Sequence, residues 1–207
     1  MDISILDEER VMAIIRHDGP FDLKGLFQAV LETGLRTIEI TLNTPEAFDL
    51  IDTAVRSFGA KMLIGAGTVL SMAELMRALD AGARFIVSPV FNRETVEYCA
   101  EKNIPVFPGA LTPSEIYEAH QAGAYMAKVF PSSLFGPSYF KSIKAPLPDT
   151  RLLAVGGITH MNVNDYLSSG ADAVAIGGGI IRKEWVELSD FEAIKNNIIK
   201  FLNAIDS

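Results

Sequence analysis

Residues 37–68 read TIEITLNTPEAFDLIDTAVRSFGAKMLIGAGT, and this stretch contains the unit from which the fold is built. Two short runs rich in strand-forming residues, TIEITL (37–42) and MLIGAGT (62–68), flank a segment whose apolar residues have helical spacing. Threonine and proline open that segment and glycine closes it, which are common signals for the two ends of a helix. The stretch therefore predicts a strand, a helix and a second strand, the βαβ unit of parallel sheets.

The same unit recurs along the whole chain. Six further runs have strand character, namely VMAIIR, FIVSP, PVFPG, YMAKVF, RLLAVGGI and AVAIGGG, and helix-like segments alternate with them. Eight such units predict an α/β protein with a (β/α)8 TIM barrel. An open doubly wound sheet is the alternative, but it normally has fewer strands. We find no linker or break in composition, so we expect one small domain over residues 1–207.

The composition restricts the classes of partner. Apolar residues make up 49% of the chain and charged residues 21%, which permits a sizeable core. The formal net charge is −8 and Lys and Arg do not cluster, which argues against nucleic acid or an anionic membrane as a partner. The negative net charge does not argue against a small anionic ligand, because a few local donors are sufficient to bind it.

The expected location is the cytoplasm. The only cysteine, Cys99, cannot form an internal disulfide, and its helical spacing predicts a position in or near the core. The acidic start MDISILDEERV does not resemble a signal peptide, and no apolar run approaches the roughly 20 residues of a membrane span.

Four polar residues lie where an active site is expected in a barrel. Side chains alternate along a strand, so the glutamate of TIEITL, Glu39, points inward if its isoleucine neighbours pack on the helices. Lys128 interrupts the apolar run YMAKVF, Arg16 ends the first run and Thr68 ends the third. Active sites of barrels form at the carboxyl ends of the strands, so these four side chains are predicted to share one pocket.

This set of residues predicts imine chemistry. An apolar barrel removes solvent from the ammonium form of Lys128, which should lower its pKa. A partly neutral amine attacks a carbonyl to form a Schiff base, and Glu39 is the carboxyl placed to move protons. Arg16 and Thr68 are candidates for binding a carboxylate or phosphate, so the expected substrate is an anionic keto compound.

Glycines end the last two strand-like runs, in AVGGIT and AIGGGI. Barrels frequently bind phosphate there through backbone N–H groups, and tight turns are the alternative reason for the glycines. His17, His120 and His160 are scattered and favour surface or capping positions. We therefore predict no metal site and no cofactor.

The motifs AIIR, IEITLNTP, IGAGTV, FIVSP, PVFPGALTPSE, KVFPSS and VGGIT occur in an order that resembles the 2-keto-3-deoxy-6-phosphogluconate and 4-hydroxy-2-oxoglutarate aldolase family. The resemblance covers nearly the whole chain. It implies a metal-free, Schiff-base aldolase, commonly a homotrimer, that releases pyruvate, together with glyceraldehyde 3-phosphate from a 6-phospho substrate.

The resemblance also implies roles for individual residues. Lys128 would form the Schiff base and Glu39 would be the acid and base. Substrate-contacting positions would be Arg16, Thr68, Pro89, Phe130, Asn43, Gly156, Gly157 and Gly178.

Two departures from the family pattern bear on the substrate. Asn43 stands where many phosphogluconate aldolases carry a carboxylate-binding arginine, which favours the phosphogalactonate branch. Gly178 stands where relatives usually have a serine, so an unphosphorylated keto-deoxy acid or 4-hydroxy-2-oxoglutarate stays open as a substrate. A phosphosugar isomerase or epimerase, and a phosphosugar-binding protein without catalysis, are the remaining alternatives.

Overall fold

The strands form one parallel sheet. A computed structural model describes residues 4–205 of the chain, and the pairings between the strands in that range are parallel. The strands are Val11–Ile15 (β1), Thr37–Thr41 (β2), Leu63–Gly67 (β3), Ile86–Val87 (β4), Val106–Phe107 (β5), Gly109–Ala110 (β6), Ala127–Val129 (β7), Leu152–Val155 (β8) and Ala173–Ile176 (β9).

The sheet closes into a barrel because its two ends belong to the same run of chain. Neighbouring strands follow the order β5-β4-β3-β2-β1-β9-β8-β7-β6, and only Pro108 separates β5 from β6. A proline lacks the amide hydrogen that a ladder needs. The carbonyl oxygen of Pro108 still accepts a hydrogen bond from the backbone N–H of Lys128 at 2.8 Å. The predicted (β/α)8 barrel is thus confirmed, with its fifth strand divided in two.

Helices surround the barrel. Those in the described range are Ile5–Glu9 (α1), Leu23–Glu32 (α2), Ala47–Phe58 (α3), Met72–Asp80 (α4), Arg93–Glu101 (α5), Pro113–Gln121 (α6), Pro137–Lys144 (α7), Val163–Ser168 (α8), Lys183–Glu187 (α9) and Phe191–Ile205 (α10), with a 3-10 turn at Ser132–Leu134. Ser71 with Glu74, and Thr112 with Glu115, form reciprocal capping boxes that fix the starts of α4 and α6. The helices that the sequence predicts are present, and α1 and α9 are additional.

Alternation along the strands separates two apolar cores. Ala13, Ile38 and Ile40 face the helices in the larger core, whereas Met12 and Leu63 belong to a smaller core inside the barrel. Toward the carboxyl ends of the strands, large apolar side chains do not fill the interior of the barrel. This leaves room for a cavity there. Burial of the larger core is the main favourable term in the stability of the fold.

Helix α1 closes the opposite, amino-terminal end of the barrel. Its residues Ile5 and Leu6 are buried in the inner core. Asp7 on the same helix accepts a hydrogen bond from the hydroxyl of Tyr125 at 2.6 Å and pairs with Arg151. These contacts fix α1 across the barrel end, so the inner core is sealed on the side away from the cavity.

No helix between residues 4 and 205 combines the length and apolar character needed to cross a membrane.

Candidate active site

A cavity of about 520 Å³ opens at the carboxyl ends of the strands. This volume is in the range of about 300–1,000 Å³ that is typical of small-molecule sites. Residues in or just after β1, β2, β3, β4, β7, β8 and β9 contribute to its wall, including Arg16, Glu39, Thr68, Pro89, Lys128, Phe130, Gly156, Gly157 and Gly178. The structure therefore brings together nine of the ten positions that the sequence singles out.

Lys128 lies in the middle of β7, and its neighbours determine its chemistry. The residue is only 7% exposed, and its Nζ lies 5.5 Å from the ring centroid of Phe130. Burial lowers the pKa of Lys128, the negative charge of Glu39 opposes this effect, and the positive charge of Arg16 adds to it. The side chain thus faces the cavity with a larger neutral fraction than a solvated lysine has.

Glu39 lies on β2, where it is 1% exposed. Its Oε2 has no hydrogen-bond partner among the residues of the described range. Burial raises the pKa of Glu39, while the positive charges of Lys128 and Arg16 oppose the shift. A buried carboxyl oxygen without a partner is costly and uncommon, and such groups concentrate at functional sites.

A buried lysine with a lowered pKa and a buried carboxyl group in one cavity are the groups that imine chemistry requires. In the described part of the chain, neither Lys128 nor Glu39 forms an ion pair with the other or with a third residue. Each group is thus available to a bound molecule.

Thr68 has an unusual backbone conformation at the end of β3. Its φ of +58° is rare for a residue branched at Cβ. Strained conformations of this kind are retained mainly where the surroundings enforce them, often at functional sites. The conformation places Thr68 on the cavity wall, as predicted.

Glycines in the loops after β8 and β9 line the cavity. Gly156 and Gly157 have φ values of +92° and +77°, which favour glycine. The N–H groups of Gly157, Gly178 and Gly179 have no protein acceptor in residues 4–205. A Cβ added to Gly178 would meet nothing within 4 Å, so this position leaves open space beside those donors.

Asn43 is the predicted contact that the structure places elsewhere. The chain turns away from the barrel after β2 ends at Thr41, and Asn43 lines a separate surface depression between Leu42 and Arg77. It does not line the central cavity, whereas Thr41, which shares its strand face with Glu39, does.

The sequence did not single out three other charged or polar residues of the wall, His17, Asp18 and Lys183. His17 is buried rather than at the surface, and its Nδ1 lies 2.9 Å from the carbonyl oxygen of Gly19. Asp18 and Lys183 form an ion pair at 2.8 Å. Asp18 follows Arg16 by two residues, which was a usable signal for its place at the cavity. No such sequence signal existed for Lys183, because α9 was not predicted.

Between residues 4 and 205, no three His, Cys, Asp or Glu side chains are grouped so that they could hold a metal ion.

Comparison with known proteins assigns the family. The family described as KDPG and KHG aldolase matches residues 3–197. The probable 2-dehydro-3-deoxy-6-phosphogalactonate aldolase of Rhizobium meliloti strain 1021 is 40% identical over 176 residues, which are 84% of this chain and 83% of the relative.

Solved structures agree with this assignment. The structure titled "Native KDPGal structure" has a TM-score of 0.88 and 32% identity, and the match covers 95% of this chain and 94% of that one. The KDPG aldolase of Legionella pneumophila, solved with pyruvate as a covalent carbinolamine intermediate, has a TM-score of 0.85 and 28% identity over 95% of both chains. The chain belongs to the KDPG and KHG aldolase family, whose members are carbon–carbon lyases.

Proposed function

We propose that this protein is a class I aldolase that cleaves a 2-keto-3-deoxy-6-phospho sugar acid, of the galactonate or gluconate type, to pyruvate and glyceraldehyde 3-phosphate. The observation that carries the proposal is the buried pair Lys128 and Glu39 on the wall of one cavity. The carbinolamine of pyruvate in the Legionella relative supports it, because a carbinolamine is the precursor of a Schiff base.

The first half of the reaction uses the lowered pKa of Lys128. Its neutral amine adds to the C2 ketone of the substrate. Glu39 as a neutral acid protonates the departing hydroxyl, so that loss of water leaves a protonated imine. Glu39, as the carboxylate, then accepts the proton of the C4 hydroxyl. The C3–C4 bond breaks, its electron pair moves toward the imine nitrogen to form an enamine, and C4 departs as an aldehyde.

The second half returns the proton. Glu39, now a neutral acid, donates it to C3 of the enamine and regenerates the imine. Water hydrolyses this imine, which releases pyruvate and restores the free amine of Lys128, and Glu39 takes up the proton that is set free. The raised pKa of Glu39 suits both steps, because the group must hold a proton between bond cleavage and protonation of the enamine.

The remaining wall residues are assigned to binding. Arg16 and the hydroxyl of Thr68 hold the carboxylate next to the ketone, and Pro89 and Phe130 cover the pyruvate portion. The free N–H groups after β8 and β9, including that of Gly157, support a phosphate at the far end of the substrate. Asn43 is left out of this set because it lies outside the cavity.

A pyruvate-release assay tests the proposal. The substrates are the gluconate and galactonate epimers with and without the 6-phosphate, together with 4-hydroxy-2-oxoglutarate. We expect the phosphorylated galactonate epimer to give the highest kcat/KM. Lys128→Met should abolish release, whereas Lys141→Met, a change at an exposed lysine of α7, should leave it intact. Absence of pyruvate from every substrate would overturn the proposal.

We also propose a homotrimer located in the cytoplasm. Exposed apolar side chains in the loops that follow the strands support self-association, namely Leu70, Val90, Leu134, Phe135 and Met161. The single buried thiol of Cys99 is consistent with a reducing compartment. Light scattering after size-exclusion chromatography should give three times the chain mass, and Leu134→Asp should reduce it.

A further inference from the structure

An ion pair joins two parts of the cavity wall that are far apart in the chain. Nζ of Lys183, at the start of α9, lies 2.8 Å from Oδ2 of Asp18, which follows β1. Both residues belong to the cavity wall. The reaction proposed above gives neither residue a role.

The segment that leads from β9 to Lys183 also carries free backbone donors on the cavity wall. Gly178 and Gly179 precede Lys183 by five and four residues, and the three residues line the same cavity. Asn197 on α10 donates hydrogen bonds from its Nδ2 to the carbonyl oxygens of Gly179, at 2.9 Å, and Ile180, at 3.1 Å. These bonds fix the backbone of the loop at Gly179 and Ile180. The exposed side chain of Lys183 is the donor that can change its position.

The residues between β9 and Lys183 that line the cavity, Gly177, Gly178, Gly179 and Ile181, carry no side-chain donor. Gly178 has no hydroxyl, and a Cβ at this position would meet nothing within 4 Å. A lysine ammonium with three N–H donors would compensate for that missing donor if it reached the same anion.

Lys183 pairs with Asp18 at 2.8 Å and more distantly with Glu187 of its own helix at 4.0 Å, and the nearer partner, Asp18, can be exchanged at little cost. The side chains of Lys183 and Asp18 are 54% and 76% exposed, and exposed ion pairs contribute little to stability. A phosphate dianion attracts an ammonium more strongly than one carboxylate does, because it carries more charge and more acceptor oxygens.

We propose that Lys183 breaks its ion pair with Asp18 and binds the distal phosphate of the substrate. The pair is then a determinant of specificity for phosphorylated substrates. The proposal rests on the proposed aldolase function. Asp18 competes with the phosphate for the ammonium. Removing the lysine and removing the aspartate must therefore have opposite effects on phosphate affinity.

The test compares Lys183→Met with Asp18→Asn. For a phosphorylated substrate we expect Lys183→Met to raise KM about five- to tenfold, the effect of one charge-assisted hydrogen bond at a partly solvated site. Asp18→Asn should lower KM about two- to threefold. For the unphosphorylated analogue, Lys183→Met should leave KM unchanged, and kcat should change little in either case.

Two controls separate this proposal from other effects of charge. Lys195 is an ion-paired surface lysine on α10, bound to Glu32 and Glu192 and absent from the cavity wall, so Lys195→Met should leave KM unchanged. Inorganic phosphate, titrated by 31P NMR, reports binding without turnover. Its Kd should rise in Lys183→Met and fall in Asp18→Asn.

The outcomes also separate the inference from the proposed function. Trapping of pyruvate on Lys128 tests the aldolase chemistry and should be equal in all these variants. A rise in KM and in phosphate Kd for both Lys183→Met and Asp18→Asn would mean that the pair only fixes the loops, and it would overturn the inference. Unchanged phosphate Kd in Lys183→Met would overturn it as well, even if trapping succeeds.

Discussion

Glu39 occupies space that only a glycine at position 67 leaves free. A Cβ added to Gly67 would lie 1.5 Å from Oε1 of Glu39 and 2.6 Å from its Cγ. The two residues belong to adjacent strands, in which Thr41 pairs with Gly67 and Glu39 with Gly65. The GAG sequence at the end of β3 therefore determines where the carboxyl group of Glu39 lies.

The substitution Gly67→Ala should consequently displace Glu39 while β3 remains a strand. We expect kcat/KM for aldol cleavage to fall by about 100-fold, since a displacement of about 1 Å in a catalytic group has effects of that size. Gly19→Ala is the control, because the nearest atom to its added Cβ lies 3.9 Å away on His17. Wild-type cleavage rates in Gly67→Ala would show that the position of Glu39 is not critical.

Sequence alternation was sufficient to predict that Glu39 and Lys128 face the cavity. Glu39 and Lys128 each interrupt an apolar run, and the two-residue period of a strand fixed which way they point. The division of the fifth strand also has a visible cause, since Pro108 lacks the donor that a continuous ladder needs. Cys99 is fully buried, as its helical spacing predicted.

The features that were missed depend on the path of loops. Asn43 is four residues from Glu39 in sequence, but the chain leaves the barrel after Thr41. Helices α1 and α9 have five residues each, which is too short for a periodic pattern to be recognised. The contact between Lys183 and Asp18 joins residues 165 positions apart, so nothing local indicates it.

The titration of Lys128 should respond in opposite directions to its two charged neighbours. Glu39 raises the pKa of Lys128 and Arg16 lowers it, while burial lowers it most. Glu39→Gln should therefore decrease the pKa of Lys128, and Arg16→Met should increase it. NMR titration of protein labelled with 13C at the lysine Cε would measure both. Shifts of the same sign in the two variants would contradict this description of the site.

Burial of Glu39 should also affect stability as a function of pH. Its pKa in the folded protein is raised above the ordinary value of 4.5, so the native state binds the proton more tightly than the unfolded chain does. The resulting stabilisation is complete below the unfolded pKa and is lost as the pH rises through the folded pKa. We expect the free energy of unfolding of the wild type, relative to Glu39→Gln, to decline over this interval.

Urea unfolding of both proteins at a series of pH values measures this difference. A difference that is constant with pH, or one that grows as the pH rises, would mean that burial does not raise the pKa of Glu39.

Ser132 links the loop after Lys128 to the next strand. Its buried hydroxyl donates to the carbonyl oxygen of Val129 at 2.8 Å and accepts from the N–H of Val155 at 3.0 Å. Ser132→Ala leaves that N–H without a partner, which should destabilise the fold by about 1–3 kcal/mol in chemical denaturation. Ser142→Ala, at an exposed position of α7, should have little effect. Equal stability of the two variants would rule out this role for Ser132.

Reductive trapping identifies the nucleophile, which we expect to be Lys128. The protein is incubated with pyruvate and borohydride, digested, and mapped by mass spectrometry. We predict one reduced pyruvate adduct, on the peptide that contains Lys128, and no adduct in Lys128→Met. An adduct on Lys141 or Lys144 instead, or no adduct at all, would contradict the assignment.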